Sequence, residues 1–339
     1  FGAVQPIIDL GRPDRVLNVM LHAQLRSPLL WDVMSIGLYL TASTIYLYIP
    51  MIPDLAIIRD AGIKAPWLYR FLAAGYRDTP DQRARLERVI GVLAIAVIPI
   101  AVSVHTIIGW IFAMTLRPMW HSTIFGPYFV MGAIYSGIAA ILIAMVVLRR
   151  AYRLEEYFRP VHFDYMGRLL LLFSLLWFYF TFAEYLTAFY GGEPAEMRTF
   201  WAKVWGPFAV PFWAMVLGCF VIPLALMWRK ATRTPRGTLV AGIAVVIGMW
   251  LERFNIVVPT SVNPRWEMES LGRYLPSWVE LSILAGTFAG FILLYMVATK
   301  FFPIVSIWEI KEGREHSARQ VAERVEGYLP REPTPAPAD

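Results

Sequence analysis

Four ionisable residues, His105, Glu184, Glu252 and Arg253, fall inside apolar stretches long enough to cross a bilayer. A charge at the centre of a spanning helix costs about 2.5–3.5 kcal/mol on insertion scales, so such residues mark a pathway or a site. Asp32 and Asp54 stand near the two ends of a further stretch. Carboxylates and an imidazole at low dielectric are suited to moving protons. Burial raises a carboxylate toward the neutral range, and a group that titrates near the working pH takes up and gives back protons best.

Each residue also has a plainer role to set beside that one. His105 sits about 24 Å along its helix, at about 1.5 Å per residue. Its face neighbours Ala101, Ile108, Gly109 and Phe112 are mostly apolar, so a packed histidine bonded to a backbone carbonyl competes with a ligand. Glu184 lies on an aromatic-rich helix (Trp177, Phe178, Tyr179, Phe180, Phe182, Tyr185), from which a carboxylate can reach the outer interface. Glu252 and Arg253 are adjacent, hence about 100° apart on a helix, and are expected to pair with other helices rather than with each other. Asp32 follows Trp31 at a helix start, where a carboxylate complements the macrodipole. Asp54 follows Pro50 and Pro53 and fits an interfacial position.

The elements that position these residues follow from composition. Hydrophobic residues make up 58% of the 339 positions and charged ones 17%, which places the chain among all-α polytopic membrane proteins. A span needs about 20 apolar residues. Seven such runs lie near 33–58, 89–116, 122–148, 165–190, 204–228, 237–258 and 278–302. Residues 1–32 are too polar to span and read as an outer-side segment. Phe1 is no initiator, and further helices are expected before it.

Basic residues crowd one set of loops: Arg59, Lys64, Arg70, Arg77, Arg83, Arg85 and Arg88; Arg149, Arg150, Arg153 and Arg159; Arg229, Lys230, Arg233 and Arg236. The other side holds Arg12, Arg15, Arg26, Arg117, Arg198, Lys203, Arg265 and Arg273. By the positive-inside rule the crowded side is cytoplasmic. The 303–339 tail then ends there, and His105, Glu184, Glu252 and Arg253 lie in the outer half. The tail should form a short surface helix over 309–327 and turn flexible through the proline-rich 330–339. Basic residues confined to loops between spans do not make a nucleic-acid surface.

The residues that are missing narrow the chemistry. One cysteine, Cys219, cannot supply the four thiolates of an iron–sulfur cluster, and no Cys-x-x-Cys-His is present for a c-type haem. Of five histidines only His105 lies within a span, so paired axial ligands for a membrane haem are lacking. No Walker-type loop is present. Any metal centres belong to partners.

The segment Asp9-Leu10-Gly11-Arg12-Pro13, followed by Arg26-Ser27-Pro28-Leu29-Leu30-Trp31-Asp32, resembles the NrfD/PsrC-like family, the polysulfide reductase membrane subunits. The runs Ile52-Pro53-Asp54-Leu55-Ala56-Ile57-Ile58-Arg59-Asp60 and Leu251-Glu252-Arg253-Phe254-Asn255-Ile256-Val257-Val258-Pro259 look most like its larger branch. That branch holds the quinol-binding membrane subunit (ActC-type) of alternative complex III. The resemblance extends over nearly the whole chain. It implies a helical bundle, commonly two four-helix bundles plus extra helices, in the bacterial cytoplasmic membrane. It implies menaquinol or a related quinol bound near the outer face, with no haem or iron–sulfur cluster on the chain itself. The implied partners are a periplasmic iron–sulfur subunit, a homologous NrfD-like membrane subunit and c-type cytochrome subunits. Proton translocation belongs to some members.

On that resemblance the ionisable residues take particular roles. Oxidising a quinol releases protons with the electrons, so Asp32, His105 and Glu252 are the expected proton acceptors at its hydroxyls. Asp9, Arg12, Trp31, Tyr39 and Arg253 are the expected binding residues, with Arg253 holding an oxygen and the aromatics flanking the ring. Asp54 and Glu184 are expected on a proton pathway, and no metal site is expected. Some members carry His where this chain has Asp9, so one alternative is a sister subunit without a quinone site, acting as proton conduit or anchor. The other is a secondary transporter, to which the intrahelical Pro99 and Pro223 point.

Overall fold

The computed structural model describes residue 7 and residues 12–62, 66–265 and 274–314. Among these the regular structure is helical throughout. After two short turns over 13–21 come α1 (Pro28–Ala61), α2 (Pro66–Leu72), α3 (Pro80–Ala113), α4 (Phe125–Ala151), α5 (Pro160–Gly191) and α6 (Pro194–Val204). Then α7 (Ala209–Val216) runs through a π turn (Leu217–Val221) into α8 (Ile222–Met227), followed by α9 (Pro235–Val262) and α10 (Trp278–Phe301). Among the described residues seven helices are long and apolar enough to cross a membrane: α1, α3, α4, α5, α7–α8, α9 and α10. Each expected span lies on one of them.

The helix starts differ from the apolar runs for a simple reason. Proline is favoured at the first helical position, where its missing N–H would be unpaired anyway. Six helices therefore begin at Pro28, Pro66, Pro80, Pro160, Pro194 and Pro235, and α3 carries Asp81, Arg83, Arg85 and Arg88 before its apolar run begins.

The chain divides into two compact units. In the larger (3–39 and 99–277), α4, α5, α7–α8 and α9 pack as a four-helix bundle. Their inward residues recur at three- and four-residue steps. On α5 the stripe is Phe163, Gly167, Leu170, Ser174, Trp177, Thr181, Glu184, Ala188; on α9 it runs through Ala241, Val245, Met249, Glu252 and Ile256. Between spans the association rests on close packing and interhelical hydrogen bonds. Gly248 shows the first: a Cβ there would lie 2.6 Å from Cys219 Sγ and 3.0 Å from Cys219 N, so only glycine lets the backbones approach. The π turn shows the second. Pro223 has no N–H to offer the carbonyl of Cys219, four residues back. Tyr135 and Ser174 hydroxyls donate to that carbonyl instead, at 2.7 and 2.9 Å.

The smaller unit comprises parts of α1 and α3 (within 40–98) with α2, α10 and residues 302–314. Its core gathers Ile52, Leu55, Ala56, Tyr69, Ala73, Tyr76 and Leu86. One tie spans most of the sequence. Asp54, 1% exposed, accepts the backbone N–H groups of Ile307 (3.1 Å) and Trp308 (2.9 Å), capping the helical residues 307–314. Trp308 Nε1 donates to the Pro50 carbonyl at 2.9 Å. Of the two expected four-helix bundles, the described residues form one in the larger unit. The flexible end expected over 330–339 and most of the expected surface helix fall outside the described residues.

Candidate functional site

The site begins where α9 carries Glu252 and Arg253. The 100° step between neighbours sends them to different surroundings. Glu252 continues the buried stripe, and Trp177 Nε1 on α5 donates to its Oε1 at 2.6 Å. Arg253 leaves the stripe and lays its guanidinium over the Phe129 ring, 4.2 Å from Cζ to the centroid. Both therefore engage other helices, as expected. They were not expected to approach each other, yet Arg253 Nη1 comes within 3.6 Å of Glu252 Oε2. Gly132 of α4 makes the room: a Cβ there would lie 3.1 Å from Arg253 Nη2. That separation is too long for a hydrogen bond, and Glu252 Oε2 and Arg253 Nη1 are both buried and unbonded.

On Arg253's side lies a groove of about 490 Å³ between α4 and α9, within the usual size of a small-ligand site. Its floor is small: Ala133, Ser136, Gly137 and Ala140 follow one face of α4. Val246, Met249, Trp250 and Arg253 line the α9 wall, and His105 of α3 closes one side. His105 Nδ1 lies 2.7 Å from the Ala101 carbonyl. Donation there leaves Nε2 as an acceptor. His105 is thus a backbone-bonded histidine that borders the groove. Tyr39 meets its ring edge-on at 6.2 Å between centroids.

Asp32 lies seven residues before Tyr39 on the same face of α1, and its Oδ1 is buried without a hydrogen-bond partner. Trp31 points elsewhere, its Nε1 donating to the Leu25 carbonyl at 2.7 Å. Arg12 is exposed and pairs with Asp14 at 3.1 Å. Asp9 lies outside the described residues. Asp54 belongs to the helix cap of the smaller unit.

On Glu252's side a polar file runs through the bundle. A cavity of about 20 Å³ is lined by Tyr128, Glu184, Lys203, Glu252 and Asn255 among apolar neighbours. Tyr128 Oη lies 3.2 Å from Thr181 Oγ1, and Asn255 Nδ2 donates to the Pro211 carbonyl at 3.2 Å. Ser122 Oγ donates to Glu184 Oε2 at 2.7 Å. Beyond Glu184 a wider cavity of about 350 Å³ reaches His121, Ser122 and Glu196. There His121 Nε2 and Glu196 Oε1 are 3.1 Å apart. His121, Glu193 and Glu196 bring possible ligand atoms within 4.8 Å of one another, but Arg265 already holds Glu193 at 2.5 Å, so the cluster reads as ion pairs.

The sequence placed Glu184 and Glu252 in the membrane but not in one file. It missed Trp177, Tyr128 and Ser122 as their partners and counted Lys203 as a loop charge. Lys203 is 3% exposed. Burial pushes its amine down to about 8, opposed in part by the Glu184 carboxylate. A signal existed: in α6 the buried residues are Thr199, Phe200 and Lys203, a helical face ending on the lysine.

The whole groove and file lie within the part of the chain that matches known proteins. Residues 2–264 match the family described as polysulphide reductase, NrfD. A putative dimethyl sulfoxide reductase membrane subunit of Halobacterium salinarum is 26% identical over 318 residues, covering 87% of this chain and 70% of that protein. A selenate reductase subunit of Mesobacillus selenatarsenatis is 26% identical over 322 residues, covering 89% of this chain and 74% of that protein. With seven candidate spans among the described residues and a match over most of its length, the chain belongs to the NrfD polysulphide reductase family of multi-pass membrane proteins.

Proposed function

We propose that this chain is the quinone-reactive membrane subunit of a quinol-oxidising reductase complex, of the alternative complex III type, in a bacterial cytoplasmic membrane. One observation carries the reading. At Glu252 and Arg253 a single helix step joins a groove fit for a ring to a polar file inside the bundle. The names of the two relatives, both subunits of reductases, agree with it. With the basic loops cytoplasmic, the groove and file lie in the outer half.

The groove fits a quinone by its own chemistry. It offers a floor of small residues, the half-exposed guanidinium of Arg253 and the His105 Nε2. A bound quinol supplies two electrons and two protons. His105 Nε2 accepts a hydroxyl proton, Arg253 holds an oxygen by charge-assisted hydrogen bonding, and Tyr39 steadies His105. Asp32, on the Tyr39 face, is the further carboxylate in reach of that end of α1. Glu252 takes protons inward, and Glu184 with Ser122 passes them toward His121 and Glu196. Electrons leave through a periplasmic iron–sulfur subunit, with c-type cytochromes and an NrfD-like paralogue as further partners. Asp54 is left out of the path because both its oxygens already accept backbone N–H groups.

A transporter would aim a broken helix at its substrate. Here the carbonyl freed by Pro223 is taken by Tyr135 and Ser174 within the core, which speaks for scaffolding. The test uses the purified complex and a short-chain menaquinol analogue. His105→Ala and Arg253→Gln should each lower turnover by roughly 10²-fold, within the range of a positioned proton-transfer group. Wild-type turnover in both variants, with the complex intact, would overturn the assignment.

A further inference from the structure

Among the described residues Lys203 is the one buried cation of the file that the proton path through Glu252 and Glu184 does not use. It closes the inward face of α6, next to Phe200. A lysine kept for stability normally meets a carboxylate, since an ammonium without one carries a desolvation cost of several kcal/mol. Lys203 does not: among the described residues it enters no ion pair, and its Nζ contacts Met119 Sδ at 3.8 Å and the Tyr185 ring at 5.8 Å. It does share a cavity of about 20 Å³ with both Glu184 and Glu252, and a space of that size admits about one water molecule. Two buried acceptors without hydrogen-bond partners, Glu252 Oε2 and Asn255 Oδ1, belong to residues lining the same cavity. An amine placed among two carboxylates and bonded to neither is arranged to exchange a proton with each in turn.

We propose that Lys203 is a proton-transfer group between Glu252 and Glu184, a role that rests on the quinol-oxidising reading. Through a water molecule that the cavity has room for, the neutral amine takes a proton from the Glu252 carboxyl, giving ammonium and carboxylate. The ammonium then passes that proton to the Glu184 carboxylate, restoring the neutral amine and leaving a carboxyl that Ser122 faces. One proton moves and no electron does. A lysine poised at about 8 populates both forms near neutral pH, which supports the geometry. The titratable groups around it are Glu184 and Tyr185 on α5, Tyr128 on α4 and Glu252 on α9, with Arg253 beside Glu252 and the more distant His121 and Glu196 acting on Glu184.

The experiment measures oxidation of a short-chain menaquinol analogue by the purified complex carrying Lys203→Met, Lys203→Arg, Glu184→Gln or Glu252→Gln. Methionine keeps the stem without a proton, and arginine keeps the charge without giving it up. Both Lys203 variants should lose roughly 10²-fold in kcat, with KM unchanged and a larger solvent isotope effect. They should also lack the wild-type limb near pH 8. A purely packing lysine would tolerate methionine. If Lys203→Met keeps wild-type kcat and pH profile while the two glutamine variants fall, the lysine proposal is overturned and the path stands. If the glutamine variants also turn over normally, the path itself fails. Should Lys203→Met not assemble, Lys203→Gln gives the same reading.

Discussion

Trp177→Phe tests the joint at the inner end of the polar file. The indole Nε1 donates to Glu252 Oε1 at 2.6 Å, with Trp177 fully buried and Glu252 1% exposed. A hydrogen bond to a charged group contributes about 1.5–3 kcal/mol, and losing the donor leaves a buried oxygen unsatisfied. The smaller ring adds about 1 kcal/mol for the space left behind. The variant should therefore unfold in detergent with a stability loss of roughly 2.5–4 kcal/mol. To separate the bond from the packing, the same change is made on Glu252→Gln. If the bond is charge-assisted, the double-mutant cycle gives a coupling of about 1.5–2 kcal/mol, because a neutral amide accepts more weakly. Coupling within about 0.5 kcal/mol of zero would refute a charge-assisted bond between Trp177 and Glu252.

Asp54→Ala should free the helical residues 307–314 by removing the acceptor of two N–H groups, at a cost of about 1–3 kcal/mol. Limited proteolysis should then cleave before residue 314 much faster than in wild type, with Asp54→Asn intermediate, and an unchanged cleavage rate would refute the cap. Lys203→Met should stabilise the fold at pH 7 by roughly 3 kcal/mol, the gap between an ordinary lysine at 10.5 and one held at about 8. The folded state binds fewer protons than the unfolded one between those values, so the gain should be flat below pH 8 and shrink as pH rises toward 10.5. Thermal unfolding from pH 6 to pH 10 would expose a pH-independent gain, which contradicts it.

Much of this architecture is written in the sequence, but unevenly. Apolar runs locate all seven spans because the bilayer imposes length and composition directly. Helix starts are less visible to hydropathy, since helices such as α3 continue past the apolar run to a proline in polar sequence. Glu184 and Glu252 were legible as intramembrane charges, and the stripe Ser174, Trp177, Thr181, Glu184 already puts one of them inward. Which partners they meet was not legible, because Ser122 and Glu184 are 62 positions apart and Trp177 and Glu252 are 75. Lys203 was obscured by its setting in a short polar helix, where averaged hydropathy hides a single buried face. The backbone donors that Asp54 meets were not legible either, because they lie more than 250 positions away.

The order of Glu252 and Arg253 along the chain is itself dictated by what each faces. Trp177 presents an N–H, which requires an acceptor, and Phe129 presents the negative face of a ring, which requires a cation. Exchanging the two residues would set a guanidinium against a donor in a sealed core and a carboxylate against a π face, both repulsive. Four residues of separation would fail differently, since both side chains would then share one face and only the groove or only the file would be served. Adjacency is the arrangement that gives one helix a group in each compartment, and the 3.6 Å between Nη1 and Oε2 keeps the two in electrostatic contact. On the proposed function, that contact is where a ligand in the groove would be felt at Glu252. Arg253 cannot tighten on an incoming oxygen without altering the field at Glu252.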